Sequence, residues 1–504
     1  MNADDRLEYL DPDSATPSEA AAAGIRDARP ATGGSSSRPK AVSHFTPAER
    51  IARGKAARRE LRRSAHGAWE AAPRRTDPVD LLEEQAQTRL PELGAIRYGR
   101  MLVSPFTFFR GSAYLMAADL ADGPRTGLHT QLCGDAHLSN FGVFAAPDRK
   151  LVFSINDFDE TLPGPFEWDV KRLAASLAVA GRDRGFDEST RRSVVLATVR
   201  EYREAMAQFA RMRTIDVWYT RLDVRGIRDR LKTGLSSKQL ERVHANVVDV
   251  RTKDSMRALS KLCHTVDGEL RIAGNPPFVT PIEDVLLGVE QHHLEDVVRR
   301  MIRTYRRTLP RDRRHLLESY RYVHAARKVV GVGSVGTRTW ILLMVGRDDT
   351  DPLFLQFKEA QASVLEPFLG KSRYSQHGQR VVEGQRMMQA APDILLGWER
   401  IVTIDGEQRD FYIRQLWDSK GSAEIEVMDP AGLQAYGRIC GWTLARAHAR
   451  SGDRIAIAAY LGKGEPFDRA LATFAEAYAD QNENDFRALQ KAVSAGRVAA
   501  DMAA

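Results

Sequence analysis

Two short segments of the chain carry side chains with the chemistry of a metal-dependent active site. In the first, Asp135 is followed five residues later by Asn140, and in the second, Asp157 and Asp159 come after the apolar run Leu151–Ile155. Mg²⁺ prefers oxygen ligands, and a carboxylate can also take a proton from a hydroxyl group. The pattern predicts that Asn140, Asp157 and Asp159 hold metal and that Asp135 is catalytic. The alternative is that Asp135 and Asn140 only cap turns.

His137 lies between the two groups of the first segment and raises a second hypothesis. Asp135-Ala136-His137 after an apolar strand is also how a binuclear metallophosphoesterase begins. That class needs a downstream Gly-Asn-His stretch, and the sequence has none. His137 is therefore a candidate catalytic residue that contacts the acceptor, with a hydrogen-bonded loop histidine as the alternative.

A glycine-rich stretch, residues 331–336, matches the pattern GxGxxG through Gly331, Gly333 and Gly336. A dinucleotide-binding fold needs a helix to begin inside this pattern, but the chain continues with apolar, strand-forming residues. A glycine hairpin between two strands is instead the form that covers the phosphates of ATP in protein kinases. Lys358, at the end of the next apolar strand, can point at the same phosphates. The alternatives are a hairpin without ligand and an edge-strand lysine.

Composition and charge narrow the class of protein. The chain has 504 residues, 43% of them hydrophobic, and a formal net charge of +7, and its arginines share helices with acidic residues, so nucleic-acid binding is not indicated. The three cysteines, Cys133, Cys263 and Cys440, are widely spaced and odd in number, which favours a reducing cytoplasm. The acidic N-terminus does not resemble a signal peptide, and no long apolar window indicates a membrane partner.

The chain is expected to fall into four parts. Residues 1–45 are rich in Ala, Ser, Pro and Gly and are predicted to be a disordered tail. Residues 46–325 hold the two acidic segments and a largely helical stretch, including a helix predicted from Arg311 to Ala326. Residues 326–428 form a glycine-loop sheet, and residues 429–504 are helices that complete the helical lobe. Arg110 stands among aromatic residues in a predicted buried turn, either held for a purpose or stacked on a core edge.

These motifs carry a resemblance. Residues 134–140, 155–159 and 168–174 are similar to the catalytic loop, the metal-binding Asp and the following helix of aminoglycoside phosphotransferases and their protein-kinase-like relatives. From about residue 50 to 490 the chain resembles an uncharacterised bacterial family, domain-of-unknown-function family 2252, which is grouped with that fold. The resemblance implies an α+β, circularly permuted, protein-kinase-like two-lobe fold with a large helical lobe and a small antiparallel sheet lobe. Permutation is implied because the glycine loop and the helix at residues 436–449 follow the catalytic loop instead of preceding it.

The resemblance also assigns roles, with ATP and Mg²⁺ as the cofactors and an unidentified small-molecule or protein hydroxyl as the acceptor. The implied roles are Asp135 as the catalytic Asp, Asn140 and Asp157 as metal ligands, Gly331, Gly333 and Gly336 as the phosphate loop, Lys358 as the phosphate lysine, Glu383 (or Glu366) as the carboxylate that pairs with Lys358, Gln415 within the adenine hinge at residues 412–417, and Asp169 as a brace for the catalytic loop. Cys133 and Asp159 depart from the pattern. A nucleotide-binding pseudokinase and an AMP-transferring enzyme therefore stay as alternatives to phosphoryl transfer.

Overall fold

The computed structural model describes residues 44–232, 234–287, 291–329, 331–403, 406–416 and 420–502. The tail predicted to be disordered lies outside these ranges, except for its last two residues. From Thr46 onward, the chain forms one unit in which the helices and sheets contact each other.

Helices account for most of the regular structure, and many begin at a side-chain cap. The side chain of Asp77 accepts a hydrogen bond from the amide of Val79 (2.7 Å), and that of Asp429 accepts one from Gly432 (2.7 Å). Such caps satisfy amides that have no partner within the helix. The helices of the described residues are α1 (Pro47–Glu60), α2 (Pro78–Ala86), α3 (Gly94–Met101), α4 (Pro105–Gly111), α5 (Ala113–Ala121), α6 (Phe166–Asp183), α7 (Glu188–Phe209), α8 (Thr214–Tyr219), α9 (Val224–Leu231), α10 (Ser237–Arg251), α11 (Ser255–Leu262), α12 (Ile282–Val285), α13 (Gln291–Arg306), α14 (Arg311–Glu318), α15 (Glu366–Leu369), α16 (His377–Met388), α17 (Pro430–Ser451), α18 (Arg454–Leu461) and α19 (Pro466–Ser494).

The strands form four small sheets, and every strand pair within the described ranges is antiparallel. The predicted α+β class with antiparallel sheets is confirmed. The strands are β1 (His129–Leu132), β2 (Phe141–Ala145), β3 (Leu151–Ile155), β4 (Leu162–Pro165), β5 (Leu222–Asp223), β6 (Cys263–Val266), β7 (Glu269–Ile272), β8 (Val279–Pro281), β9 (Arg321–Lys328), β10 (Thr339–Val345), β11 (Pro352–Ala360), β12 (Gly397–Val402), β13 (Gln408–Gln415) and β14 (Gly421–Ser422).

The largest core surrounds α6. Nearly every residue from Phe166 to Gly181 is buried, because α7, α17 and α19 pack around this helix. Charged side chains are rare in a helix that is buried on all faces, and those that occur there are usually paired. Asp169 and Arg172 are such charges, and they stand in its first turns, next to the loop that follows β1.

The largest sheet has the order β12-β13-β11-β10-β9-β8. It contains the predicted hairpin, because β9 and β10 pair antiparallel on either side of the glycine-rich stretch. β11 follows with Lys358 opposite Thr339 of β10 and opposite Tyr412 of β13. Lys358 is therefore in an interior strand, and the alternative of an edge-strand lysine is wrong.

Two predictions of local structure are corrected by the fold. Residues 321–326 were expected to continue a helix, but β9 begins at Arg321 and pairs with both β10 and β8. Pairing with two neighbours outweighs the helix propensity of this stretch, and the sheet thus begins before residue 326. Arg110, predicted to stand in a turn, lies in the last turn of α4, which begins at a capping box between Ser104 and Thr107.

Candidate active site

A buried carboxylate fixes the loop that follows β1. Asp169, which is only 1% exposed, accepts hydrogen bonds from the amides of Cys133 (2.8 Å) and Gly134 (3.0 Å). His448 of α17 contacts the same carboxylate through Nε2 (3.1 Å), and its Nδ1 lies 2.8 Å from the hydroxyl of Tyr202. The predicted bracing contact of Asp169 with this loop is confirmed.

Asp135 and Asn140 lie together in the braced loop, residues 133–140. The carboxylate of Asp135 accepts from Nε of Arg172 (2.9 Å) and forms an ion pair with its Nη2 (2.8 Å). Nδ2 of Asn140 donates to the backbone carbonyl of Asp135 (2.8 Å). The amide of Asn140 is thereby oriented, and the ligand atom that it can offer to a cation is Oδ1.

His137 contributes a neutral ring to the same loop. Its Nε2 lies 3.5 Å from Oδ2 of Asp135. Burial lowers the pKa of His137 to about 3, and the opposing effect of the Asp135 charge is smaller. Burial likewise raises the pKa of the Cys133 thiol, which keeps it protonated and unsuited to act as a nucleophile.

The second acidic segment meets Lys358 although the two are some two hundred residues apart in the chain. Nζ of Lys358 forms an ion pair with Oδ2 of Asp159 and lies 4.0 Å from Oδ2 of Asp157. The hydroxyl of Tyr412 donates to Oδ1 of Asp159 (2.8 Å). The resemblance assigns Lys358 and Asp157 to one site, and the structure brings these two side chains together.

The opposite charges of Lys358 and the two aspartates stabilise each other. Burial opposes the charge on Lys358, but Asp157 and Asp159 outweigh it and raise the pKa of that ammonium. Burial would raise the pKa of Asp157, yet the positive charges of Lys358, Arg414 and Lys420 outweigh it and lower that pKa. Asp157 is therefore an ionised carboxylate at neutral pH.

A single cavity of about 230 Å³ connects the two acidic segments with the glycine-rich stretch. Arg89, which follows α2, and Arg110 of α4 also line it. The predicted site residues among its lining are Asp135, His137, Asn140, Asp157, Asp159, Gly331 and Gly333. Lys358 reaches this lining through its contacts with the two aspartates, whereas Gly336 does not line the cavity.

Arginines hold the glycine-rich stretch by its carbonyl oxygens. Nη1 of Arg89 donates to the carbonyls of Gly333 (2.7 Å) and Val335, and Nη1 of Arg100 donates to that of Gly331 (2.6 Å). Gly331 and Gly336 have φ of 66° and 91°, a left-handed conformation that favours glycine. We call residues 331–336 the glycine wall and residues 133–140 the catalytic wall.

Two predicted contacts are not formed. Glu383, expected to pair with Lys358, accepts instead from Nη1 of Arg386 (3.2 Å) on its own helix, because the aspartates of the second acidic segment already surround Lys358. Glu366, the second choice, lies 4.0 Å from Arg380.

The predicted adenine hinge is also not confirmed in its details. Tyr412 is buried against Lys358 and Asp159, so its ring is not open for stacking. Gln415 pairs with Leu355 in the sheet and does not line the cavity. Residue 417 of the predicted hinge lies outside the described residues.

Three arginines position the site without having been predicted to do so. Arg172 holds Asp135, and Arg89 holds the glycine wall. Arg380, 2% exposed, donates to the carbonyls of Asp159 (2.7 Å) and Thr161 (2.8 Å). A basic residue within the buried apolar helix α6 was a usable signal for Arg172, whereas nothing in the local sequence marks Arg89.

The cavity offers few metal ligands. Among the described residues there is no group of three His, Cys, Asp or Glu side chains placed to hold a metal ion. Asp159, expected as a ligand, uses its two carboxylate oxygens for Lys358 and Tyr412. Mg²⁺ on a nucleotide needs only one or two protein carboxylates, because phosphates supply other ligands. Asn140 and Asp157 therefore fit Mg²⁺ carried on phosphates.

In the described part of the chain, no helix has the length and apolar character needed to cross a membrane.

Comparison with known proteins gives a family. No match to the chain was found among curated proteins or among solved structures. A family model, however, matches residues 89–492, which include both walls of the cavity. The chain therefore belongs to the family described as "Uncharacterized protein conserved in bacteria (DUF2252)".

Proposed function

We propose that the protein is an ATP- and Mg²⁺-dependent phosphotransferase with a circularly permuted, protein-kinase-like fold, and that it acts on a hydroxyl group of a cytoplasmic acceptor. One observation carries the proposal. Asp135, Asn140 and Asp157 line one cavity with the glycine wall, and Lys358 lies 4.0 Å from Asp157 despite the separation in sequence. These groups are the parts that phosphoryl transfer requires.

The ends of α17 and β1 support the permuted order. Oγ1 of Thr130 lies 2.7 Å from Oγ of Ser451 and donates to the carbonyl of His448. Gly452, just after α17, packs so closely on Thr130 that a Cβ would approach it to 2.9 Å. A chain running from α17 directly into β1 and the catalytic wall would need only a short connection, and this is the order in the kinase-like relatives.

In the proposed step, the carboxylate of Asp135 takes the proton of the acceptor hydroxyl. The hydroxyl oxygen forms a bond to the γ-phosphorus of ATP, and the bond from that phosphorus to the bridging oxygen breaks, so the electron pair leaves with ADP. Arg172 orients Asp135 for this role. The ammonium of Lys358 stabilises negative charge on the phosphates.

Mg²⁺, when bound, would neutralise charge on the phosphates, and Asn140 and Asp157 are the side chains to hold it. Asp159 has a different role from the one predicted, because it pairs with Lys358 and occupies the position expected for Glu383. Asp159 thus fixes Lys358 next to the cavity.

The test is incubation of the full-length protein with Mg²⁺, a cell extract and ATP labelled at either the α- or the γ-phosphate. Label transferred from the γ-position only is expected, and it should fall about a hundredfold or more in Asp135→Asn, because general-base catalysis typically contributes that much. Asp148→Asn, at an exposed carboxylate that pairs with Arg221 outside the cavity, is the matched control.

The other outcomes identify the alternatives. Transfer of the α-label would show AMP transfer on the same site. Binding of Mg-ATP without transfer of either label, in wild type and in Asp135→Asn alike, would show a pseudokinase. Absence of nucleotide binding would overturn the proposal as a whole.

A further inference from the structure

Arg110 is a cationic side chain that the proposed reaction does not yet use. It lines the cavity from the last turn of α4. This helix is held firmly, because Phe106, Phe108 and Phe109 are all buried. The position of the Arg110 guanidinium at the cavity is therefore set by a rigid element.

Three other basic side chains at the cavity have partners: Arg89 on the carbonyl of Gly333, Arg172 on Asp135, and Lys358 on Asp159. Arg110 differs, since within the described ranges its side chain makes no hydrogen bond and no ion pair, and its buried Nε has no partner. The carboxylates of Glu426 and Asp135 act on its charge only from beyond ion-pair distance.

An unpaired guanidinium that is largely shielded from water is unfavourable unless an anion forms an ion pair with it. The planar fork of arginine matches the oxygens of a phosphate or a carboxylate and can donate two parallel hydrogen bonds to either. An anion from outside the chain is thus the missing partner.

The surroundings of Arg110 indicate which molecule brings that anion. Asp135 and His137 of the catalytic wall line the same cavity as Arg110, and the charge of Arg110 acts on His137 while that of Asp135 acts on Arg110. His137, 5% exposed, also lines this cavity, and its Nδ1 has no partner among the described residues. The volume of about 230 Å³ is of the size that suits a small molecule.

We propose that Arg110 binds an anionic group, a phosphate or a carboxylate, of a small acceptor molecule whose hydroxyl is presented to Asp135. This inference rests on the proposed phosphotransferase function and names its substrate class. The acceptor is then a hydroxyl compound that already carries a negative charge.

The test is calorimetric titration of the full-length protein, first loaded with Mg²⁺ and a non-hydrolysable ATP analogue, with inorganic phosphate and, separately, with lactate. At least one anion should bind, and Arg110→Gln should weaken it about tenfold or more, as expected for loss of a charged hydrogen bond. Arg110→Lys should show an intermediate loss, because it keeps the charge without the fork. Arg125→Gln, at an exposed arginine outside the cavity, should bind as the wild type does.

The outcomes separate the two proposals. If the analogue binds and either no anion binds or Arg110→Gln binds it unchanged, the acceptor site is wrong while the phosphotransferase proposal stands. If the analogue displaces the anion, Arg110 holds a nucleotide phosphate and the acceptor site is again wrong. If the analogue never binds but phosphate binding still depends on Arg110, the phosphotransferase proposal fails and the anion site remains. Far-UV circular dichroism of both Arg110 variants checks that they fold.

Discussion

The two walls of the cavity are fixed in different ways. The catalytic wall donates its hydrogen bonds to side chains inside the helical core: Asp169 accepts from two consecutive amides, and Oγ of Ser176 accepts from the amide of Leu138 (3.0 Å). The glycine wall accepts its hydrogen bonds from Arg89, which follows α2, and from Arg100 of α3.

This difference has a physical consequence. Removing a buried partner leaves a polar group unsatisfied in a place that water cannot reach, whereas carbonyls near the surface can bind water instead. The catalytic wall should therefore move only when the core unfolds, and the glycine wall should open locally at a lower free energy. Such an arrangement would let a ligand enter without displacing Asp135 and Asn140.

The largest effect is expected for Asp169→Ala. It removes two amide acceptors and leaves His448 without its carboxylate, all in the core. We expect the free energy of unfolding, measured with urea, to fall by about 3–5 kcal/mol, the usual loss when a buried pair is broken on one side.

Asp468→Ala is the control for this variant. Asp468 is equally buried and pairs with Arg203 (2.8 Å), far from the cavity. Both variants should lose stability, but only Asp169→Ala should speed hydrogen exchange at the amides of Cys133 and Gly134 under native conditions. Equal exchange in the two variants would show that the catalytic wall does not depend on Asp169.

The second effect concerns the contact that joins the second acidic segment to the sheet. Asp159→Asn keeps an acceptor for the Tyr412 hydroxyl but removes the charge that pairs with Lys358. We expect the free energy of unfolding to fall by about 3 kcal/mol, the upper range for a hydrogen bond to a charged group. An unchanged midpoint of urea unfolding would mean that Asp157 alone is a sufficient partner for Lys358.

A third, smaller effect is expected for Arg89→Gln. The carbonyls of Gly333 and Val335 lose a charged donor, so the free energy of unfolding should fall by about 1.5 kcal/mol, the lower end of the range for a hydrogen bond to a charged group. Hydrogen exchange in residues 331–336 should nevertheless become faster, while exchange at Gly134 stays as in the wild type. Faster exchange in both walls would contradict the independence inferred above.

The same contrast explains what the sequence could predict. The catalytic wall is built from contacts whose residues lie in short motifs, so Asp135, Asn140 and the brace Asp169 were identified from the sequence and its resemblance. The contact of Lys358 with Asp157 was likewise expected, because the resemblance assigns both residues to one site although the motifs come in a permuted order.

The glycine wall and the partner of Lys358 could not be predicted in the same way. Arg89 and Arg100 hold the wall across more than two hundred residues, and the sequence around each arginine carries no local sign of such a contact. Glu383 was chosen because a helix after the lysine strand supplies the carboxylate in the kinase-like proteins that the motifs resemble. In this chain Asp159, which stands where that pattern has a glycine, is the carboxylate that pairs with Lys358.

Glu383→Gln should have the smallest effect, and its value is as a comparison with Asp159→Asn. Glu383 contacts Arg386 one turn away, at 3.2 Å, and both side chains are about 30% exposed. Exposed pairs at this spacing contribute about 0.5 kcal/mol or less, since solvent screens them. The free energy of unfolding and the affinity for Mg-ATP should therefore equal those of the wild type within error. If Glu383→Gln weakened Mg-ATP binding as much as Asp159→Asn, then Lys358 would exchange its partner when nucleotide enters, and the glycine wall would have to move together with α16.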